Sequence, residues 1–142
     1  MLKLKKSIIV ISALLILGGG VWAVSSQKEQ PAEVQGVQEE VFIADLVLDF
    51  GEEKTATYSG IRIAEKNVLG LLLQAAAENG FEVDYDPPSG EMGCFVKSIN
   101  GIENADEAFW QFWLNGEYGQ VAMDQQEVKD GDLVEIKLKG FE

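Results

Sequence analysis

Residues 67–80 read NVLGLLLQAAAENG, and this stretch decides the fold. Val68, Leu71, Leu72, Ala75 and Ala76 recur at i, i+3, i+4, i+7 and i+8, which lines one side of an α-helix with apolar groups. Asn67 stands where a side chain caps the first turn, and Gly80 where a left-handed residue ends the last. Gly70 costs such a helix up to about 1 kcal/mol relative to alanine, so its place there marks a close approach, expected to be to a sheet.

On either side of the helix the apolar period changes to two. Upstream, VFIADLVLDF (41–50) puts Phe42, Ala44, Leu46, Leu48 and Phe50 on one side of an extended chain and Asp45 and Asp49 on the other. After Gly51 and a charged turn, TATYSGIRI (55–63) supplies an antiparallel partner. Downstream, FEVDYD (81–86) turns Phe81, Val83 and Tyr85 inward before Pro87-Pro88 forces a loop. CFVKSIN (94–100) is extended and breaks at Asn100-Gly101. EAFWQFWLNGEYG (107–119) reads as a hairpin around Asn115-Gly116, a two-residue type I′ turn. In that register Leu114 faces Glu117, Trp113 faces Tyr118, Phe112 faces Gly119 and Trp110 faces Val121. VKDGDLVEIKL (128–138) turns at Asp130-Gly131 and closes with Val134, Ile136 and Leu138 on one face.

Two strands, one helix and several strands describe an α+β domain. A mixed sheet of four or five strands, curled over the helix with its last strand beside its first, buries both apolar faces; this is a β-grasp-like arrangement. Another strand order remains compatible with the same elements. Trp110 and Phe112 then face the helix, with Gly119 leaving room for the Phe112 ring. Trp113 and Tyr118 fall on the opposite face. A ring pair there is either a binding surface or covered by a loop.

The chain has 142 residues and a formal charge of -13. Residues 1–26 hold three lysines and no acid, so 8 basic and 24 acidic side chains remain for the rest, net -16. An anionic surface gains nothing from counterion release, which argues against nucleic acid as a partner. There is no histidine and a single cysteine, Cys94, so internal disulfides and Cys/His metal sites are excluded by counting, and no metal site is expected. Asp84 with Asp86 and Asp130 with Asp132 lack calcium-loop spacing and read as turn and solvent residues. Cys94 and Ser98 have no histidine to activate them, so no enzymatic activity is expected.

Residues 1–24 carry Lys3, Lys5 and Lys6 ahead of an apolar run from Ile8 to Val24. Two readings fit: a signal peptide cleaved near Ala23, or an uncleaved helical anchor with the lysines left in the cytoplasm. Both place the acidic domain outside the cytoplasm, secreted or tethered to the membrane by its N-terminal segment. Residues 25–40 are polar, contain Pro31 and Gly36, and read as a flexible linker to a domain spanning 41–142.

The stretch from Gly93 to Leu138, above all SINGIEN followed by FWQF, together with LDFGEEKTATYSG and the helical segment, resembles the transcobalamin-like C-terminal domain family over about residues 41–139. This small β-rich domain ends vertebrate transcobalamin and intrinsic factor and recurs alone in bacterial surface proteins. The resemblance implies a β-grasp-like domain that covers one face of cobalamin while a separate helical barrel holds the other. It maps the corrin-facing loop and hairpin onto Met92, Gly93, Cys94, Trp113 and Tyr118. Two positions depart from the carriers: the Asn115-Gly116 turn is shorter, and Met92 stands where they tend to place an aromatic ring, although a thioether also lies well against a flat ligand. The expected function is a non-catalytic extracytoplasmic module that binds a corrinoid or another flat small molecule. No cofactor is required, and cobalamin is a candidate ligand. The alternative is a cell-surface module that meets a protein, a transporter or a wall polymer through the same hairpin or a sheet edge.

Overall fold

A computed structural model describes residues 40–141. The signal peptide or membrane anchor expected over residues 1–24 and nearly all of the flexible linker expected over 25–40 lie outside the described residues. Among the described residues no helix is long and apolar enough to cross a membrane.

The helix forms as its sequence requires. α1 spans Val68–Asn79; the Asn67 side chain accepts the Gly70 N–H at 2.7 Å, and Gly80, at φ 74°, donates its N–H to the Ala76 carbonyl at 2.8 Å. Gly70 does not mark an approach to a sheet. A Cβ there would land on the backbone and side chain of Glu65, so the close neighbour is the turn that leads into the helix.

Eight strands surround α1: β1 (Phe42–Asp49), β2 (Thr55–Ile63), β3 (Val83–Asp86), β4 (Phe95–Ile99), β5 (Ile102–Glu103), β6 (Phe109–Leu114), β7 (Glu117–Tyr118) and β8 (Leu133–Lys139). They make a five-stranded mixed sheet in the order β2-β1-β8-β6-β7, in which β8 runs parallel to β1 and every other pair is antiparallel. The last strand therefore lies beside the first, as expected. One feature goes beyond the expectation: β3 and β4 pair with each other and with β5 in a separate three-stranded sheet.

Alternation along each strand sends one set of side chains to a common core. Leu46, Leu48, Ile136, Val134, Trp110 and Phe112 from the large sheet meet Val68, Leu71, Leu72 and Ala75 from α1, and the small sheet adds Val96 and Ile99. Loop residues Met123 and Val128 close the remaining side. Truncating a fully buried leucine such as Leu46 or Leu72 to alanine removes about 2–5 kcal/mol in cores of this kind. Every polar side-chain atom buried among the described residues has a hydrogen-bond partner.

The hairpin register holds at its tip and fails further out. Trp113 pairs with Tyr118 and Leu114 with Glu117, and the Gly119 N–H reaches the Phe112 carbonyl at 2.9 Å. Trp110 does not face Val121. β7 is only two residues long, the chain then leaves as a loop, and Trp110 pairs with Leu138 on the other side. The room foreseen for the Phe112 ring is real, since a Cβ on Gly119 would overlap that ring.

Candidate functional site

The two sheets are held together at one place by Asn104. Its side-chain amide donates to the Val96 carbonyl of β4 at 2.9 Å, and its side-chain oxygen accepts the Trp110 N–H of β6 at 2.8 Å. Its own N–H donates to the Lys97 carbonyl at 3.0 Å. The Trp110 indole adds a bond from Nε1 to the Ile102 carbonyl at 2.9 Å.

Next to this bracket, where β7 has ended and β6 has no further partner on that edge, the sheets part and leave an open cleft of about 380 Å³. Cys94, Phe95 and Val96 form one wall and Phe109 to Phe112 with Tyr118 and Gly119 the other; Val121 to Met123 and Phe141 complete it. Its rim is unusual. Eight large apolar side chains are exposed among the described residues, and four of them, Phe95, Tyr118, Val121 and Phe141, border this one cleft with exposures from 47% to 71%. Water-facing rings gathered at one opening are unfavourable unless something covers them.

A second hollow of about 300 Å³ adjoins the first and shares Gln111, Tyr118 and Phe141 with it; Trp113, Lys139 and Gly140 complete its lining. The Trp113 and Tyr118 rings meet edge to face with centroids 5.4 Å apart. On the same sheet face the Lys137 ammonium lies 4.9 Å from the Trp113 ring centre and pairs with Glu135 at 2.9 Å.

The five residues carried over from the family resemblance part company here. Tyr118 sits between the hollows and lines both, Trp113 lines the second and Cys94 the first. Met92 is 77% exposed on a tight loop closed by two bonds between Ser89 and Met92, and it does not line the cleft. Gly93 is packed in: a Cβ there would overlap Ala122 and approach an Asp124 carboxylate oxygen. That closeness lets the Cys94 N–H donate to Asp124 Oδ1 at 2.7 Å. The thiol is only 8% exposed, and burial together with the neighbouring Asp124 carboxylate pushes its pKa up to about 11, so it is a protonated group of the wall at neutral pH.

Three rim residues lie outside the sequence-based site. Phe95 sits on the strand face opposite the buried Val96, a signal that alternation carries; Val121, expected to face Trp110, follows the end of β7; Phe141 lies beyond the last strand. The acidic pairs behave as turn and surface groups. Asp84 and Asp86 flank Lys97 at 3.4 and 3.1 Å, Asp130 accepts the Ile43 N–H, and Asp132 accepts from Lys129 and Asn115. Among the described residues no three His, Cys, Asp or Glu side chains converge on a metal-sized site.

Residues 65–140 match the profile of a domain of unknown function, DUF4430, from the turn before α1 through the end of β8. The chain belongs to that family. Its fold also matches two solved structures. One is a protein from Ruminococcus gnavus ATCC 29149, provisionally described as metal binding, at a TM-score of 0.58 and 23% identity, covering 71% of this chain and 99% of that one. The other is haptocorrin in complex with Cbi, at a TM-score of 0.56 and 15% identity, covering 72% of this chain and 26% of that one. The chain thus spans about a quarter of haptocorrin's length. No curated protein matches this DUF4430 sequence.

Proposed function

We propose that this DUF4430 domain is a non-catalytic binding module that presents its apolar cleft to a flat-faced small molecule outside the cytoplasm. The observation that carries the proposal is the gathering of Phe95, Tyr118, Val121 and Phe141 around one opening. A cleft of this volume, open along one side, suits one face of a ring system and leaves the other face to solvent or to a second protein. Corrinoids have that shape, with an apolar disc and an amide fringe. The fold match to haptocorrin in complex with Cbi, the β-grasp-like strand order and the family resemblance through SINGIEN and FWQF all favour a corrinoid over other flat ligands. The non-catalytic reading rests on the largely buried, protonated Cys94 and the lack of any histidine. The extracytoplasmic reading rests on the apolar run that follows Lys6.

One wall leaves much of a corrin wet, so affinity is expected to be micromolar or weaker. Equilibrium dialysis of residues 40–142 against cyanocobalamin tests this. Retention that falls at least fivefold in both Phe95→Ala and Tyr118→Ala supports the assignment; no retention at millimolar protein rejects a solo corrinoid role.

A further inference from the structure

Strand β2 closes the large sheet at the edge away from the cleft. Among the described residues four strands have one edge without a partner strand: β2, β3, β5 and β7. Three of them are guarded against pairing, β5 and β7 by a length of two residues, β3 by a length of four and by Asp84 and Asp86. β2 runs for nine residues, and its regular part, 55–59, holds no charge and no proline. The Phe50 N–H donates to the Lys54 carbonyl, and in that register Ala56 and Tyr58 spend their backbone groups on β1 while Thr55 and Thr57 turn theirs outward. Two features bound the open stretch. The turn with Glu52 and Glu53 precedes it, and at its far end Ser59 and Gly60 stand together opposite Asp45, with Gly60 at φ 69°.

We propose that β2 pairs with β2 of a second copy of this chain, antiparallel about a two-fold axis at Thr57, so that the two large sheets join edge to edge. Thr57 is the outward-turned residue at the centre of the open stretch. An axis there sets Thr55 of one copy opposite Ser59 of the other and Ala56 opposite Tyr58. It also sets Arg62 of each copy opposite Glu52 of the other, and these charges are complementary. Arg62 is the one charged side chain of β2, is exposed, and has no ion-pair partner among the described residues. Glu52 has only Lys54, at 4.0 Å with both side chains largely in water. On the inner face the Tyr58 ring, packed on Phe81 with centroids 5.4 Å apart, gains Ala56 of the other copy as a neighbour. Each copy keeps its cleft, because β7 lies at the opposite edge of the sheet. The inference does not depend on the binding role proposed for that cleft.

Sedimentation equilibrium of residues 40–142 tests the pairing. All buried core residues lie within them, and the Ruminococcus gnavus structure is matched over 99% of its own length, so a domain of this extent stands as a folded chain there. One strand pair buries less than a standard interface and joins two acidic bodies, so a monomer–dimer equilibrium with a Kd of about 0.1–1 mM is expected. Thr57→Pro removes an outward N–H and none of the bonds to β1, so it should weaken the dimer at least about tenfold while leaving the melting midpoint within a few degrees of the parent. Arg62→Glu should weaken the dimer about three- to tenfold, and adding Glu52→Arg should restore it. If Thr57→Pro does not fold, the charge reversal and its rescue decide. A chain that stays monomeric at about 1 mM, which leaves the edge to another protein or to water, overturns the proposal. So does a dimer that survives Thr57→Pro, and so does one indifferent to Arg62→Glu. None of these outcomes bears on retention of cyanocobalamin, which is read separately by dialysis.

Discussion

Replacing Asn104 by alanine tests how the cleft is built. The side chain makes two hydrogen bonds, one to each sheet, and both partners belong to buried residues, Val96 and Trp110. Removing the amide takes the Asn104 partner from a peptide carbonyl and from a peptide N–H while the backbone bond to Lys97 survives. Each orphaned buried group costs about 1–3 kcal/mol, so the sum is about 2–6 kcal/mol, toward the low end if water enters from the open side of the cleft. For a domain of roughly 100 residues each kcal/mol moves the melting midpoint by about 4–8 °C, so a fall of at least about 8 °C is expected. Urea unfolding followed by tryptophan emission gives the free energy directly. A companion variant, Asn104→Asp, keeps the acceptor for Trp110 but sets a carboxylate against the Val96 carbonyl. Protonation turns that carboxylate into a donor, so this variant should recover stability relative to the parent as pH falls through its raised pKa. A loss below about 0.5 kcal/mol in Asn104→Ala would refute the idea that this residue holds the sheets together.

Three further outcomes follow from the same geometry. Gly119→Ala drives a methyl into the Phe112 ring and should cost about 1–3 kcal/mol, part of it recovered in the double variant with Phe112→Leu; denaturant midpoints read both. The Cys94 thiol, raised from 9.0 to about 11, stays protonated in the folded chain where the unfolded thiol ionises, so stability should decline from about pH 9 to pH 11, and Cys94→Ala should flatten that part of the profile. At pH 8 the native thiol should react with a disulfide reagent about a hundredfold more slowly than in urea, a difference that a time course of absorbance would show. Phe95→Ala should leave the melting midpoint within a few degrees of the parent, because the ring is half exposed, while weakening ligand retention.

Local features were legible from the residues alone. The helix, its Asn67 and Gly80 caps, the alternation of β1 and the Asn115-Gly116 turn each follow from short-range rules, and the parallel closure of β8 on β1 follows from the need to bury two apolar faces. The division into two sheets was not legible. β3 and β4 have the same period as the other strands, and what separates them is which edges meet, together with the register shift at Asp84/Tyr85. Of the site, the outward face of Trp113 and Tyr118 could be read from alternation. The cleft itself arises where a two-residue strand stops short and one asparagine ties its neighbours together, and Asn104, Phe95, Val121 and Phe141 are brought there by that tertiary arrangement. The family resemblance places Gly93 on a loop that meets a ligand, whereas in the fold it is needed because Ala122 and Asp124 leave no space for a side chain.

The most direct measurement is amide chemical-shift mapping of residues 40–142 during titration with cyanocobalamin. Concentration-dependent shifts clustered at Phe95, Trp110, Tyr118, Gly119 and Val121, with β2 and α1 unmoved, are the predicted result. Shifts confined to β2 or to the far face of α1, or a spectrum that does not change, would contradict it.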